Sequence, residues 1–437
     1  MIPVLLFALA STLSARLDQR VQEYAGRNLF SGVVLVARGD EILYEKAVGL
    51  ADRTFQVPNT AATKFHIASV SKPITAAAIL LLADRRKLSL TDPVSKFVLD
   101  FPNGEHITIE QLLTHYSGLA DASSSAEYDD WSRFPQTPKS LVQHLAKLPP
   151  RSSPDTKFSY SNSNYHLLAL IIEKSSGQTY GEFLEANIFK PLRMSATAHH
   201  GEDSAIITDL ASGYVPEGSD GFAKPPYFDW TAKTGNGSLY TTARDLLRFH
   251  RALQDGTLLK PQTVEQSYGF GRTDRKVGMF WFRRQANGHR SVYVGGSSPG
   301  FKAYFERFID DDVAVIVLAN TYIASTTPLA DDIRAILWQK DAVLPPLPTR
   351  VAVSPEQLDQ VIGDYQYGPD FYTPNARIRI EGRDGYLVSI SSGQSLPLVP
   401  VEGGVYFDRA YWSFIRFADG KMIYRNGDDE FAALRVK

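Results

Sequence analysis

The chain has 437 residues, with 46 Lys and Arg against 48 Asp and Glu, a net charge of -2 and no cysteine. At 43% hydrophobic and 22% charged it is long and apolar enough for one large core plus a smaller module, and it is not expected to be disordered. The near-neutral balance provides no basic field for nucleic acid or anionic lipid, and the missing thiols exclude disulfides, thiolate nucleophiles and sulfur-ligated zinc.

The chain opens on an apolar run, Ile2 to Ala10, followed by small residues. Residues 1–15 are read as a signal peptide with possible cleavage after Ala10 or Ala15, which directs the protein to the periplasm or outside the cell. The run is too short to span a bilayer. No Lys or Arg precedes it and Leu13 suits a cut at Ala15 poorly, so a buried first helix in a cytoplasmic protein is the other reading.

From Phe30, FSGVVLVARGDEILYEKAVGLAD alternates on either side of Gly39-Asp40 and predicts an antiparallel hairpin. Ser71 to Arg86 is rich in Ala and Leu, has Pro73 in its first turn and ends in basic residues, so it predicts a buried helix. Further helices are expected at Ile109 to Leu113, Asn164 to Glu173, Ala243 to Leu253 and Ala330 to Leu337. Gly300 to Asn320 reads as two strands joined through Asp310-Asp311-Asp312. Residues 16–343 thus form one domain of strands, then helices, then strands. Residues 344–354 are a Pro-rich, stiff linker, with few contacts expected to cross it. Residues 355–437 begin with a short helix at Ser354-Pro355 and continue as short strands with Gly turns, a separate β module.

Three motifs carry chemistry. Ser69-Val70-Ser71-Lys72 lies where a loop enters the Ala-rich helix, and residues three apart share a helix face, so the Lys72 amine can reach the Ser69 hydroxyl. Burial of that amine would ease its deprotonation and let it act as a base. Alone, such a spacing usually marks only a solvated helix face. In Tyr160-Ser161-Asn162 the first and third side chains point the same way before a helix, placing a phenol and an amide together. Packing and capping are the plain alternatives. Val294-Gly295-Gly296-Ser297 precedes the strand AYFERF, and glycines there let a substrate backbone approach closely, although the same letters also describe a turn.

Together, in this order, the motifs resemble those of the serine β-lactamase and penicillin-binding-protein superfamily. The likeness is to the class C branch and its relatives, the DD-peptidases, D-aminopeptidases and family VIII carboxylesterases. It covers Arg16 to Gln339 and includes LLTHYSGL (Leu112 to Leu119), LSLTDPV (Leu88 to Val94) and LYTTARDLLRF (Leu239 to Phe249). The resemblance implies that Ser69 is acylated, that Lys72 and Tyr160 handle protons, that Asn162 orients substrate, and that Ser297 offers an oxyanion N–H alongside that of Ser69. It also implies an α/β (α+β) sandwich, an antiparallel sheet flanked by helices plus an all-helical region, with Ser69 between them. The C-terminal β domain would be a lipocalin-like barrel that covers or neighbours the site. In relatives the third motif usually opens with Lys or His, and here Val294 stands there, which disfavours substrates bearing a carboxylate.

Lys233-Thr234-Gly235 spells the usual third motif but precedes a helix start, so it is set aside. Gly296 to Gly300 matches G-x-S-x-G, yet that fold needs a catalytic His after the Ser and the last His is His289. His199-His200 is read as a surface loop, and no spacing supports a metal site. The expected function is cofactor-free hydrolysis of an ester or amide in a small-molecule or peptide-like substrate, through an acyl-enzyme. The alternatives are a β-lactamase or DD-peptidase proper, and a non-catalytic pocket-bearing sensor.

Overall fold

The computed structural model describes residues 2–201, 206–272, 274–286, 288–391 and 394–436. The early hairpin forms as expected, with β1 (Gly32–Arg38) turning at Gly39-Asp40 into β2 (Glu41–Val48). The late hairpin forms too. Two further strands precede it, β3 (Phe282–Ala286) and β4 (His289–Ser298), followed by β5 (Phe301–Phe308) and β6 (Val313–Ala319). These make one antiparallel sheet in the order β3-β4-β5-β6-β1-β2.

Side chains alternate across that sheet. Val33, Leu35 and Ala37 enter one core with Ala314, Ile316 and Leu318, while Val34 and Val36 enter another with Val313, Val315 and Val317. A strand buried on both faces must be covered by two layers, and the helices supply them. On the second face lie α1 (Ile2–Gly26) and α5 (Thr326–Trp338). On the first lie α2 (Ser71–Asp84), α3 (Ser163–Ser176) and α4 (Ala243–Gln254), with the all-helical region beyond. From Ser71 to Leu82, α2 is buried on every side, as a helix apolar all round must be.

The main helices fall where the sequence places them. Four others escape it, the short Tyr128–Trp131 and Tyr180–Leu184 and the longer Pro138–Ala146 and Pro261–Tyr268, although each of the longer two carries Pro in its first turn and the first of these has a Thr137–Ser140 capping box. No described helix is long and apolar enough to cross a membrane. Helix α1 runs through both candidate cleavage points, and its packed stripe is Leu17, Val21 and Tyr24.

The C-terminal module is a closed barrel of eight antiparallel strands, the first Gly363–Tyr367 and the last Asp429–Val436, each paired to the next and the last to the first. Tyr365, Ile380, Leu387, Leu398, Ile415 and Met422 fill its interior, as side chains do in a barrel of this size.

The expectation of few contacts across the Pro-rich stretch does not hold. Leu347, Val401 and Phe407 belong to the same core as Leu17, Val21 and Tyr24, and the Trp412 ring stacks on Tyr24 at 5.9 Å. Arg20 Nη2 and Arg27 Nη1 donate to the carbonyls of Pro345 (2.8 Å) and Leu347 (2.6 Å), so the stretch is tied to α1 rather than spanning a gap. The shared core explains the difference: Phe407 and Trp412 close the edge of the core that α1 forms on the sheet, and without the barrel that edge would face water. Phe407→Ala should therefore cost about 3–5 kcal/mol of stability. A chain ended at Val343 should be insoluble or melt well below the full protein; equal melting temperatures in calorimetry would show that the two parts are energetically independent.

Candidate active site

Ser69 lies in a single 3-10 turn, Ala68–Val70, which feeds directly into α2 and rests against β4 and β5. Ala68 has φ +47°, a left-handed conformation that costs a residue with a Cβ of order 1–3 kcal/mol and is tolerated where surrounding structure demands it. The demand comes from Gly296 on β4. A Cβ there would overlap the Ile67 carbonyl and lie 3.1 Å from Ser69 N, so the strand and the turn pass in backbone contact.

One helical turn beyond Ser69, Lys72 is fully buried, and its Nζ lies 2.8 Å from Ser69 Oγ. The same nitrogen donates to Asn162 Oδ1 (2.9 Å) and to the Asn236 carbonyl (3.0 Å). Both are neutral acceptors. Burial holds the Lys72 amine well below its ordinary pKa, against a smaller opposing pull from the Asp121 carboxylate. The rings of Tyr160, Phe280 and Tyr165 lie 5.1, 5.4 and 5.5 Å away and would favour a cation by about 0.5–2 kcal/mol at most. Loss of water costs a charge several kcal/mol, so burial wins. A neutral amine has two hydrogens and one lone pair. With both hydrogens taken by Asn162 and Asn236, the lone pair points at the Ser69 hydroxyl.

Tyr160 completes the triangle, its OH 2.9 Å from Ser69 Oγ. Burial pushes the phenol above its usual range, so it stays protonated. Its ring stacks on His115 at 4.5 Å, and the His115 Nδ1 accepts from the Ser161 N–H (3.2 Å), so backbone and ring are set by one side chain. Asn162 is oriented by Asp121, whose Oδ2 accepts from both its backbone N–H (3.2 Å) and Nδ2 (3.1 Å). That leaves Oδ1 no choice but Lys72.

The structure thus brings Ser69, Lys72, Tyr160, Asn162 and Gly296 together. Val294 is fully buried on the same face of β4 as Gly296, whereas Gly295 and Ser297 are exposed and lie on the other face. Strand β3 pairs with β4 only from His289 to Tyr293, so Val294 to Ser298 has one edge without a strand partner among the described residues. Lys233-Thr234-Gly235 is not on this strand. It belongs to a 3-10 turn and the loop after it, which supplies the Asn236 carbonyl.

Sequence reasoning missed Asp121, Asn236 and His115, although each adjoins or lies within a phrase it singled out. It also misplaced His199-His200. His200 is 7% exposed and stacks on His66 at 5.2 Å, and burial lowers the His199 pKa to about 4, so the pair is packed into the fold and is not a surface loop. Among the described residues no group of three or more potential ligands is arranged for a metal. Because Gly296 touches the backbone of Ser69, Gly296→Ala should lower the rate of any reaction at Ser69 by about a hundredfold through displacement alone. Unchanged rates in the folded variant would show that the contact does not set the position of Ser69.

Residues 17–337 match the Beta-lactamase family model, most of the chain. PbpX of Bacillus subtilis (strain 168), which carries a penicillin-binding-protein name, is 32% identical over 306 residues, 69% of this chain and 74% of that protein. A teichoic acid D-alanine hydrolase of Staphylococcus aureus is 28% identical over 248 residues, 56% of this chain and 59% of its own. The octameric penicillin-binding protein homologue from Pyrococcus abyssi superposes with a TM-score of 0.67 at 22% identity, over 96% of this chain and 99% of that one. A polar triangle of Ser69, Lys72 and Tyr160 buried between a sheet and helices, and a family match that spans them, lead to one assignment: the chain belongs to the Beta-lactamase family.

Proposed function

We propose that the protein is a serine hydrolase in which Ser69 is acylated by an ester or amide that lacks a free carboxylate. The observation that carries this reading is the Lys72 amine, buried, 2.8 Å from Ser69 Oγ and held by two neutral acceptors, the Asn162 side chain and the Asn236 carbonyl. Lys72 takes the Ser69 proton as Oγ attacks the carbonyl carbon. The resulting oxyanion is held by the backbone N–H groups of Ser69 and Ser297. As the C–O or C–N bond breaks, the Tyr160 phenol gives its proton to the leaving group, and the phenolate takes back from the Lys72 ammonium, directly or through a water, the proton that Lys72 removed from Ser69. Water then attacks the acyl-enzyme by the same route in reverse. No cofactor takes part.

Val294 supports the choice of substrate. A fully buried valine at the head of the third motif offers nothing to a carboxylate, whereas a D-alanyl ester presents an ammonium and no carboxylate on its acyl group. The name of the Staphylococcus aureus relative makes D-alanyl esters, with D-amino-acid amides, the first compounds to assay.

A fluorophosphonate should add mass to the peptide containing Ser69, and Ser69→Ala should be inert while folded. An unlabelled wild-type protein would leave the non-catalytic sensor as the better reading. The pH dependence follows from the signs. Lys72 is depressed, so acylation should be at its plateau near neutrality and fall as pH drops through the lowered amine pKa; Tyr160 is raised, so no alkaline limb from it should appear below pH 10. An acid limb absent down to the carboxylate range, about pH 4, would remove Lys72 as the base.

Val294→Lys tests the substrate choice. A charge-assisted contact is worth about 1.5–3 kcal/mol, so a cephalosporin with a free carboxylate should gain at least about tenfold in kcat/KM relative to a neutral aryl ester. The melting temperature must be followed in parallel, because the new ammonium would be buried where Val294 is fully enclosed. A folded variant with unchanged preference would mean that Val294 does not decide it.

A further inference from the structure

The set-aside phrase Lys233-Thr234-Gly235 does unassigned work. Its turn presents three successive carbonyls to the two central helices. Thr234 O takes His166 Nδ1 (2.8 Å), Gly235 O takes the Thr75 hydroxyl (2.7 Å), and Asn236 O takes Lys72 Nζ (3.0 Å). Gly235 has φ +85°, and a Cβ there would overlap the Tyr165 carbonyl, so the turn is pressed onto α3. His166 follows on that helix. A carbonyl can only accept, so its Nδ1 carries the proton, and its Nε2 accepts from Asn236 Nδ2 at 3.1 Å. One fully buried ring therefore grips the first and third residues of the turn. Burial lowers its pKa to about 4, so this neutral tautomer persists through the working range.

A fully buried imidazole is costly unless both nitrogens are used, and here both serve the same three residues. The third is the residue whose carbonyl fixes one hydrogen of Lys72. We propose that His166 is a positioning residue for the reaction at Ser69: it holds the Thr234–Asn236 turn so that the Asn236 carbonyl stays on Lys72 and the amine's lone pair stays on the nucleophile. The inference rests on Lys72 being the base. It acts on the acylation step rather than on binding, because the hydrogen bonds of His166 reach Ser69 only through Asn236 and Lys72.

The test is the inactivation of Ser69 by a fluorophosphonate, which separates kinact from KI. In His166→Phe, which keeps a ring and removes both bonds, kinact should fall at least about tenfold with KI within about threefold. The acid limb should move to higher pH, because a loosened turn admits water to the buried amine. His166→Gln, which can still donate to Thr234 and accept from Asn236, should recover most of the rate. Asn236→Ala keeps the backbone carbonyl and loses only the Nδ2 donor, and it should reproduce the loss; the double variant should be no worse than either single change, since both break one link. If His166→Phe does not fold, Asn236→Ala and His166→Gln carry the test. A lowered melting temperature with unchanged kinact and pH profile would overturn the proposal, as would an additive double variant. Ser69 unlabelled in wild type would remove the underlying reading instead; labelled wild type with indifferent His166 and Asn236 variants would remove only this one.

Discussion

A lysine that has lost its water and found no anion is the constraint on which the rest of the site depends. The Lys72 amine is buried by an apolar helix, and its two fixed acceptors, the Asn162 side chain and the Asn236 carbonyl, are uncharged. Under those conditions the ammonium is the expensive form and the free amine the cheap one. Much of the surrounding architecture follows from holding those acceptors. Asp121 orients the Asn162 amide, and the turn before Ser238 is pressed onto α3 to present Asn236. The sheet provides the opposing wall, where Gly296 lets β4 touch the backbone of Ser69.

The parts of this arrangement legible in the sequence were those set by short-range rules. Helical spacing joined Ser69 to Lys72, alternation in the strands gave both hairpins, and Tyr160 and Asn162 were found because two residues apart in an extended loop point alike. What escaped depends on contacts distant in the chain. Asn236 contributes a backbone carbonyl, which no residue type advertises, and it lies 164 positions from Lys72. Asp121 acts only through Asn162, so no spacing links it to the chemistry. The His199-His200 pair looked like a polar loop because sequence does not show that Trp230 and His66 stack against it.

The relation of the barrel to the hydrolase domain was misjudged for a related reason. A Pro-rich stretch reads as a stiff spacer, but stiffness says nothing about what the spacer lies against. Here Leu17, Val21 and Tyr24 of α1 lie in the core that covers the second face of the sheet, and Phe407 and Trp412 of the barrel join that core. Arg409 also donates to the Asn28 carbonyl just beyond α1, and Lys302, on the strand that pairs with Ser297, donates to the Ala410 carbonyl. The barrel is thereby joined to the strand beside the one that borders Ser69, a physical route by which a distant module can bear on the site.

The central claim is the protonation state of Lys72, and the most direct measurement is a titration of its side chain by NMR in protein labelled at lysine Cε, with Lys72→Arg to assign the signal. The account predicts a neutral amine at neutral pH, whose signal changes to that of an ammonium only as the pH is lowered, well below the ordinary lysine value of 10.5. An ammonium signal that persists up to that ordinary value would contradict it, and Lys72 could then serve only as a fixed positive charge beside Ser69.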